Sequence, residues 1–68
     1  MDDKKIGERI KKWRKIRKLT QKDLADKIKK NIKSIQRYET GINPVQIDVL
    51  NSIANALKVE LSTLLPKE

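Results

Sequence analysis

The sequence predicts an all-α fold, a compact bundle of about five short helices, and two observations support this. Apolar residues recur at intervals of three and four along most of the chain, which places them on one face of a helix. No segment alternates apolar and polar residues with the period of two that a half-buried strand requires. With 68 residues and no internal repeat or linker, the chain is expected to form a single domain spanning residues 1–68.

The first two helices are indicated by an apolar stripe and by a capping motif. Ile6, Ile10 and Trp13 share one face of a basic amphipathic helix, whose other positions hold mostly Lys, Arg and Glu. Thr20 can then cap a second helix with its hydroxyl group, and Asp23 occupies the reciprocal position of a capping box. A helix therefore ends and another begins between Trp13 and Thr20.

The third helix lies between a cap residue and a glycine. Asn31 is a suitable N-cap, and Gly41 can end the helix in a left-handed conformation. Ile35 and Tyr38 supply the inward face between them. Because this spacing directs Tyr38 inward, we interpret it, like Trp13, as a core residue rather than a platform for base stacking.

The fourth helix is predicted to be the most hydrophobic. Asn43 is expected to cap it, with Pro44 in its first turn. Its inward stripe consists of Val49, Leu50, Ile53, Ala56 and Leu57. A last turn or two before Pro66 is also apolar. Its residues fit either the core or a dimer patch: Val59, Leu61, Leu64 and Leu65.

The composition narrows the classes of function. Seventeen Lys and Arg against nine Asp and Glu give a formal charge of +8, which favours a polyanionic partner such as nucleic acid or an acidic membrane surface. Cysteine and histidine are both absent, which excludes thiol nucleophiles, disulfides, histidine-based catalysis and the usual zinc sites. The acidic residues are scattered and no nucleophile–base pair is visible, so we expect no enzyme activity, cofactor or metal.

A membrane location is disfavoured. No apolar run approaches the ~20 residues that a membrane span needs, so neither an anchor nor a signal peptide is expected. The segment IKKWRKIRK could lie on anionic lipid, but the face that carries Trp13 is needed for the core. The expected location is the cytoplasm, in association with the nucleoid.

The second and third helices are predicted to form a helix-turn-helix at about residues 20–40. The connection between Ile28 and Asn31 is so short that the two helices must cross at a steep angle, which frees one face of the third helix. The outward residues on that face are Ile32, Lys33, Gln36 and Arg37.

These outward side chains suit the edges of base pairs in a DNA major groove. Arg37 can fork onto guanine O6 and N7, and Lys33 can reach the same acceptors or a phosphate. Gln36 can pair with adenine, and Ile32 can pack on a thymine methyl group. At the start of the second helix, the side chains of Gln21 and Lys22 and the free amides after Thr20 could bind a phosphate.

The chain resembles the Cro and repressor type of helix-turn-helix domain, the lambda-repressor-like or Xre-type domain of phage repressors and many bacterial regulators. The resemblance runs from about Ile6 to Leu65 and rests on the segments IGERIKKWRK, LTQKDLADKI, SIQRYETG and VLNSIANALKVELSTLL. It implies that the helix at Asn31–Thr40 enters the major groove. The base readers implied by it are Ile32, Lys33 and Arg37.

The resemblance also implies roles outside that helix. Gln21 matches a residue that commonly holds a phosphate, and the loop from Thr40 to Asn43 matches a segment that contacts the DNA backbone. An arginine at the position of Arg14 and a glutamate at that of Glu39 form a partly buried ion pair in the family. Such a pair would explain a glutamate on a face otherwise suited to a polyanion.

The sequence departs from the family pattern in three respects. Lys18, Lys29 and Lys58 stand where the family often has glycine after a helix, and a positive φ at each would add roughly 1 kcal/mol of strain or more. Lys30 replaces an apolar turn residue. The segment from Pro44 to Ile53 holds one residue more than in many relatives.

The predicted function is sequence-specific binding of double-stranded DNA by a transcription regulator. We expect a repressor that acts as a homodimer on a pseudo-palindromic operator. One alternative is a protein-binding adaptor, because LTQKDL and YETG also resemble the multiprotein bridging factor coactivators. Another is an antitoxin-type regulator with a protein partner as well as DNA. Selection of a duplex from a random pool would distinguish the transcription regulator from the protein-binding adaptor.

Overall fold

The computed structural model describes residues 2–66, which form five helices and, over that range, no strand. The helices are α1 (Asp3–Ile16), α2 (Gln21–Lys27), α3 (Ile32–Thr40), α4 (Ile47–Leu57) and α5 (Leu61–Leu64). This architecture confirms the predicted all-α fold of five short helices.

Two of the predicted helix starts are confirmed. The Thr20 hydroxyl accepts a hydrogen bond from the Asp23 amide at 3.0 Å, and the Thr20 amide donates to the Asp23 carboxylate at 2.9 Å, which completes a capping box. The Thr20 amide and hydroxyl also lower the pKa of the Asp23 carboxyl group. The Asn31 side chain accepts from the Ser34 amide at 2.9 Å, so α3 also begins with a side-chain cap.

The predicted start of the fourth helix is wrong. Asn43 and Pro44 lie in the preceding loop, and α4 begins only after Gln46, which makes no side-chain cap hydrogen bond. The backbone N–H of Asn43 still points toward the end of α3, where it donates to the Arg37 carbonyl. Val45, in the loop between α3 and α4, is buried in the apolar core, so the loop contributes a core residue before α4 begins.

One apolar core lies between the helices, and α4 contributes the most to it. Its members are Ile6, Ile10, Leu24, Ala25, Ile35, Val45, Leu50, Ile53, Ala54, Leu57 and Leu64. Trp13 and Tyr38 pack against this core, as their spacing predicts. Of the apolar residues at the end of the chain, Leu64 is fully buried, whereas Val59, Leu61 and Leu65 pack on the core and are only partly covered.

Four helices end with a residue in the left-handed conformation. Lys18, Lys29 and Lys58 have φ angles of 58°, 58° and 59°, and Gly41 has a φ of 78°. In each case the following amide donates to the carbonyl five residues earlier, at 2.9–3.0 Å, which is the Schellman arrangement. Three helix ends thus use lysine where glycine is free of strain.

We expect Lys18→Gly, Lys29→Gly and Lys58→Gly each to raise the free energy of unfolding by about 0.5–1 kcal/mol. Glycine removes the contact between the β-carbon and the carbonyl oxygen that penalises a left-handed residue, at some entropic cost in the unfolded chain. Urea denaturation measures the change. Lys15→Gly is the matched control, since Lys15 lies inside α1 and its replacement should destabilise the domain. If all three glycine variants were less stable than the wild type, the left-handed conformation of these lysines would not be a source of strain.

The backbones of α1 and α3 approach each other closely at Gly7. A β-carbon on Gly7 would overlap the Tyr38 carbonyl oxygen and would lie 2.7 Å from the Glu39 carbonyl oxygen. The absence of a side chain at Gly7 therefore fixes how near α1 can lie to α3.

Candidate nucleic-acid interface

The outward face of α3 carries the four side chains that the sequence proposes as base readers. Ile35 is fully buried beneath α3, and Tyr38 is partly covered. On the opposite side, the structure places four exposed residues together: Ile32, Lys33, Gln36 and Arg37. Ile32 is 42% exposed, which makes it one of the few large apolar side chains open to solvent. The face is thus mixed, with two cationic groups, an amide and an aliphatic group.

Arg37 differs from the other arginines in what its guanidinium contacts. Within residues 2–66, neither Arg37 nor Lys33 makes a side-chain hydrogen bond or ion pair. Two other arginines bind backbone carbonyls near helix ends: Arg9 of α1 donates to the carbonyls of Thr63 and Leu65, and Arg17, which follows α1, donates to those of Leu57 and Lys58. Arg37 therefore keeps its donors for an external acceptor, and a guanidinium fork suits guanine or phosphate.

A buried ion pair joins α1 to α3 behind this face. Arg14 Nε donates to Glu39 Oε2 at 2.6 Å, and Arg14 Nη2 donates to Glu39 Oε1 at 3.1 Å. The two residues are only 7% and 6% exposed. The remaining Arg14 nitrogen donates to the Leu19 carbonyl at 2.8 Å, just before α2. One guanidinium thus connects α1, α3 and the residues that lead into α2, and fixes the position of α3.

The side chain of Gln21 lies between α2 and α3. Its Nε2 atom donates to Glu39 Oε1 at 3.1 Å, and its Oε1 atom accepts from Gln36 Nε2 at 3.4 Å. The sequence proposes Gln21 as a phosphate ligand or as a first-turn residue that helps the cap, and its contact with Gln36 is not predicted. Two glutamines at positions 21 and 36 can hydrogen-bond to each other, but only the crossing of α2 and α3 shows that they do.

The other proposed phosphate ligands lie at the two ends of the α2–α3 unit. At one end, the Thr20 hydroxyl is part of the capping box, and Lys22 forms an exposed ion pair with Asp26 at 3.2 Å. At the other end, the Thr40 hydroxyl donates to the Gln36 carbonyl at 3.0 Å, and the backbone N–H of Asn43 donates to the Arg37 carbonyl at 3.4 Å. These four residues flank the exposed face of α3 along the sequence, and both of their hydroxyl groups, those of Thr20 and Thr40, already have partners.

Two further features bear on the chemistry of the molecule. Across residues 2–66, no three His, Cys, Asp or Glu residues are grouped in a way that could hold a metal ion. None of the helices formed by these residues has both the length and the apolar character needed to cross a membrane.

Comparison with known proteins identifies the family. A family model described as helix-turn-helix matches residues 10–64. The uncharacterized HTH-type transcriptional regulator y4wC of Sinorhizobium fredii (strain NBRC 101917 / NGR234) is 37% identical over 60 residues, which cover 88% of this chain and 42% of that protein. The chain therefore spans less than half the length of this relative.

Solved structures share the fold. The restriction-modification controller protein C.AhdI from Aeromonas hydrophila matches with a TM-score of 0.90 and 26% identity, covering 94% of this chain and 93% of that one. The clp gene regulator ClgR from C. glutamicum has a TM-score of 0.90 at 19% identity, covering 94% and 83% of the two chains. The chain belongs to the Cro/C1-type helix-turn-helix family of DNA-binding transcription regulators, the family that its sequence predicts.

Proposed function

We propose that this chain binds a specific sequence of double-stranded DNA and acts as a transcriptional repressor that reads the major groove with residues 32–39. Residues 1–68 act as one DNA-binding domain in this proposal, in the cytoplasm at the nucleoid, and without catalytic activity. The observation that supports it most strongly is the exposed pair Lys33 and Arg37, which has no partner within residues 2–66. The formal charge of +8 favours the same polyanionic ligand.

The proposal divides the contacts by what they contribute. Arg37 binds guanine, Gln36 binds adenine, Lys33 binds guanine or a phosphate, and Ile32 contacts a thymine methyl group. The phosphate ligands are Thr20, Gln21, Lys22, Thr40 and Asn43. Phosphate contacts position the protein and supply most of the affinity, whereas contacts with base edges select the sequence.

A homodimer is part of the proposal. Two copies related by a two-fold axis would place their α3 helices in successive major grooves, about 34–36 Å apart on a pseudo-palindromic operator. Measurement of the stoichiometry on a selected duplex tests this arrangement: two chains per site are expected, and one chain would contradict it.

Arg37→Ala is expected to lower the affinity for the selected duplex by about 1–3 kcal/mol and to relax the choice of base at particular positions. The control is Lys27→Ala, which removes one charge from α2 beside α4, where Lys27 lies near Ala56 and Lys58. It should weaken all duplexes slightly and equally. Binding-site selection followed by mobility-shift titration measures both effects.

Two results would contradict the proposal. If Arg37→Ala weakens all sequences equally, α3 does not read bases through this residue. If the domain selects no duplex from a random pool, the protein-binding adaptor or the antitoxin-type regulator becomes the better interpretation. Affinity should also fall steeply with salt, as ~6–10 phosphate contacts per dimer require.

A further inference from the structure

We infer that Gln21 is a positioning residue for Gln36, and that Glu39 is the fixed point from which a chain of side-chain hydrogen bonds sets the orientation of the Gln36 amide. This inference rests on the proposed DNA-binding role: the series of hydrogen bonds makes Gln36 select adenine over guanine at one base pair. Gln21 then contributes to the choice of base in addition to any contact with a phosphate.

The first step is the Glu39 carboxylate, which can only accept hydrogen bonds. Both of its oxygens are held by the Arg14 guanidinium, at 2.6 and 3.1 Å, and the pair is buried. Any further side chain that contacts this carboxylate must therefore offer it a hydrogen-bond donor. Because the ion pair is fixed in the core, the carboxylate cannot turn away to suit a different neighbour.

The second step is the amide of Gln21. It lies 3.1 Å from Glu39 Oε1 and must present its NH₂ group there, since a flipped amide would set two oxygen acceptors against each other. Its carbonyl oxygen then points the other way. That oxygen is 3.4 Å from Gln36 Nε2, so Gln36 has to present a donor to it.

The third step is what remains of the Gln36 amide. One of its two N–H groups is directed at Gln21, which leaves one N–H donor and the carbonyl oxygen for an external ligand. Adenine offers a matching pair in the major groove, an acceptor at N7 and a donor at N6. Guanine offers acceptors at both N7 and O6, so its O6 would face the Gln36 carbonyl oxygen.

The test compares two duplexes that differ at the base pair read by Gln36. That base pair is identified as the one at which Gln36→Met loses discrimination. Wild-type protein should prefer A·T to G·C there by between about 5-fold and about 150-fold. Gln21→Met, which keeps the side-chain length but has no amide, should reduce this ratio by about 2- to 10-fold.

Three further variants isolate the effect. In a Gln36→Met background, Gln21→Met should leave the ratio unchanged, because no amide remains to be oriented. Gln21→Lys keeps a donor for Glu39 but offers no acceptor to Gln36, so it should lower the ratio even where Gln21→Met impairs folding. Lys22→Met, at a neighbouring proposed phosphate ligand, should weaken both duplexes equally and leave the ratio unchanged.

The inference is overturned if Gln21→Met and Gln21→Lys each leave the ratio between the two duplexes at its wild-type value. It is also overturned if Gln21→Met lowers the ratio as much in the Gln36→Met background as in the wild type. In both cases specific binding would persist, and the proposed function would stand. Failure of the wild-type protein to select any duplex would instead contradict the proposed function itself.

Discussion

Gly7→Ala should lower the free energy of unfolding by about 3 kcal/mol or more, because the added methyl group has no space beside α3. Its β-carbon would overlap the Tyr38 carbonyl oxygen and lie 2.7 Å from that of Glu39. Backbone atoms cannot rotate away as a flexible side chain can, so α1 and α3 must separate. A domain of this size is stable by only about 3–10 kcal/mol, and much of that would be lost.

The sign of this change is informative. In an ordinary helix interior, replacing glycine with alanine stabilises the helix by about 0.5–1 kcal/mol. Urea denaturation of Gly7→Ala measures the change, and Glu8→Ala, at the exposed neighbour in α1, is the control and should alter stability by no more than ~0.5 kcal/mol. A stabilised Gly7→Ala variant would show that the two backbones are not in close contact.

Arg14→Met and Glu39→Gln are each expected to destabilise the fold by about 3–5 kcal/mol. Either change breaks a buried ion pair and leaves the remaining partner without its counterpart in the core. The double variant Arg14→Met with Glu39→Gln should lose less stability than the sum of the two single changes, since no buried charge is stranded. A double-mutant cycle in urea provides the measurement.

The exposed ion pair between Lys22 and Asp26 is the matched control for that cycle. Its side chains are 73% and 65% exposed, so water screens the interaction and its loss should change stability by less than about 0.5 kcal/mol. Equal effects from the exposed and the buried pair would contradict the assignment of Arg14 and Glu39 as the connection between α1 and α3.

The sequence predicts the parts of the fold that depend on neighbouring residues. The capping box of Thr20 and Asp23 and the Asn31 cap are interactions over three residues, so residue type and spacing suffice to find them. The left-handed end at Gly41 is equally local. The exposed face of α3 follows from helical periodicity, because a buried Ile35 fixes which side chains point away.

The start of α4 could not be predicted in the same way. Asn43 and Pro44 have the residue types that usually begin a helix, and the local signal favours them. Burial of the loop residue Val45 competes with this local signal, and it depends on the other members of the core, most of which are distant in the chain. A local preference of about 1 kcal/mol is smaller than the gain from covering a valine side chain.

Much of the site also depends on distances between helices. The resemblance to a family implied a contact between Arg14 and Glu39, but periodicity alone did not, and the residue types leave many other pairings open. The position of Gly7 against α3 and the hydrogen bond between Gln21 and Gln36 require knowledge of how closely the helices cross. A sequence shows whether a side chain can donate or accept a hydrogen bond, and the crossing of the helices determines which group is its partner.

Three of the four proposed base readers take no part in the polar contacts that hold the helices together, and in the proposed DNA-binding role this separation affects how a target sequence could change. Ile32, Lys33 and Arg37 make no side-chain hydrogen bond or ion pair within residues 2–66, so each can be exchanged without disturbing the polar contacts that hold the helices. Retargeting to a new operator could therefore proceed one residue at a time at these positions. Gln36 is different because its amide donates to the Gln21 side chain, so under the inferred coupling a change at Gln36 would require a compensating change at Gln21.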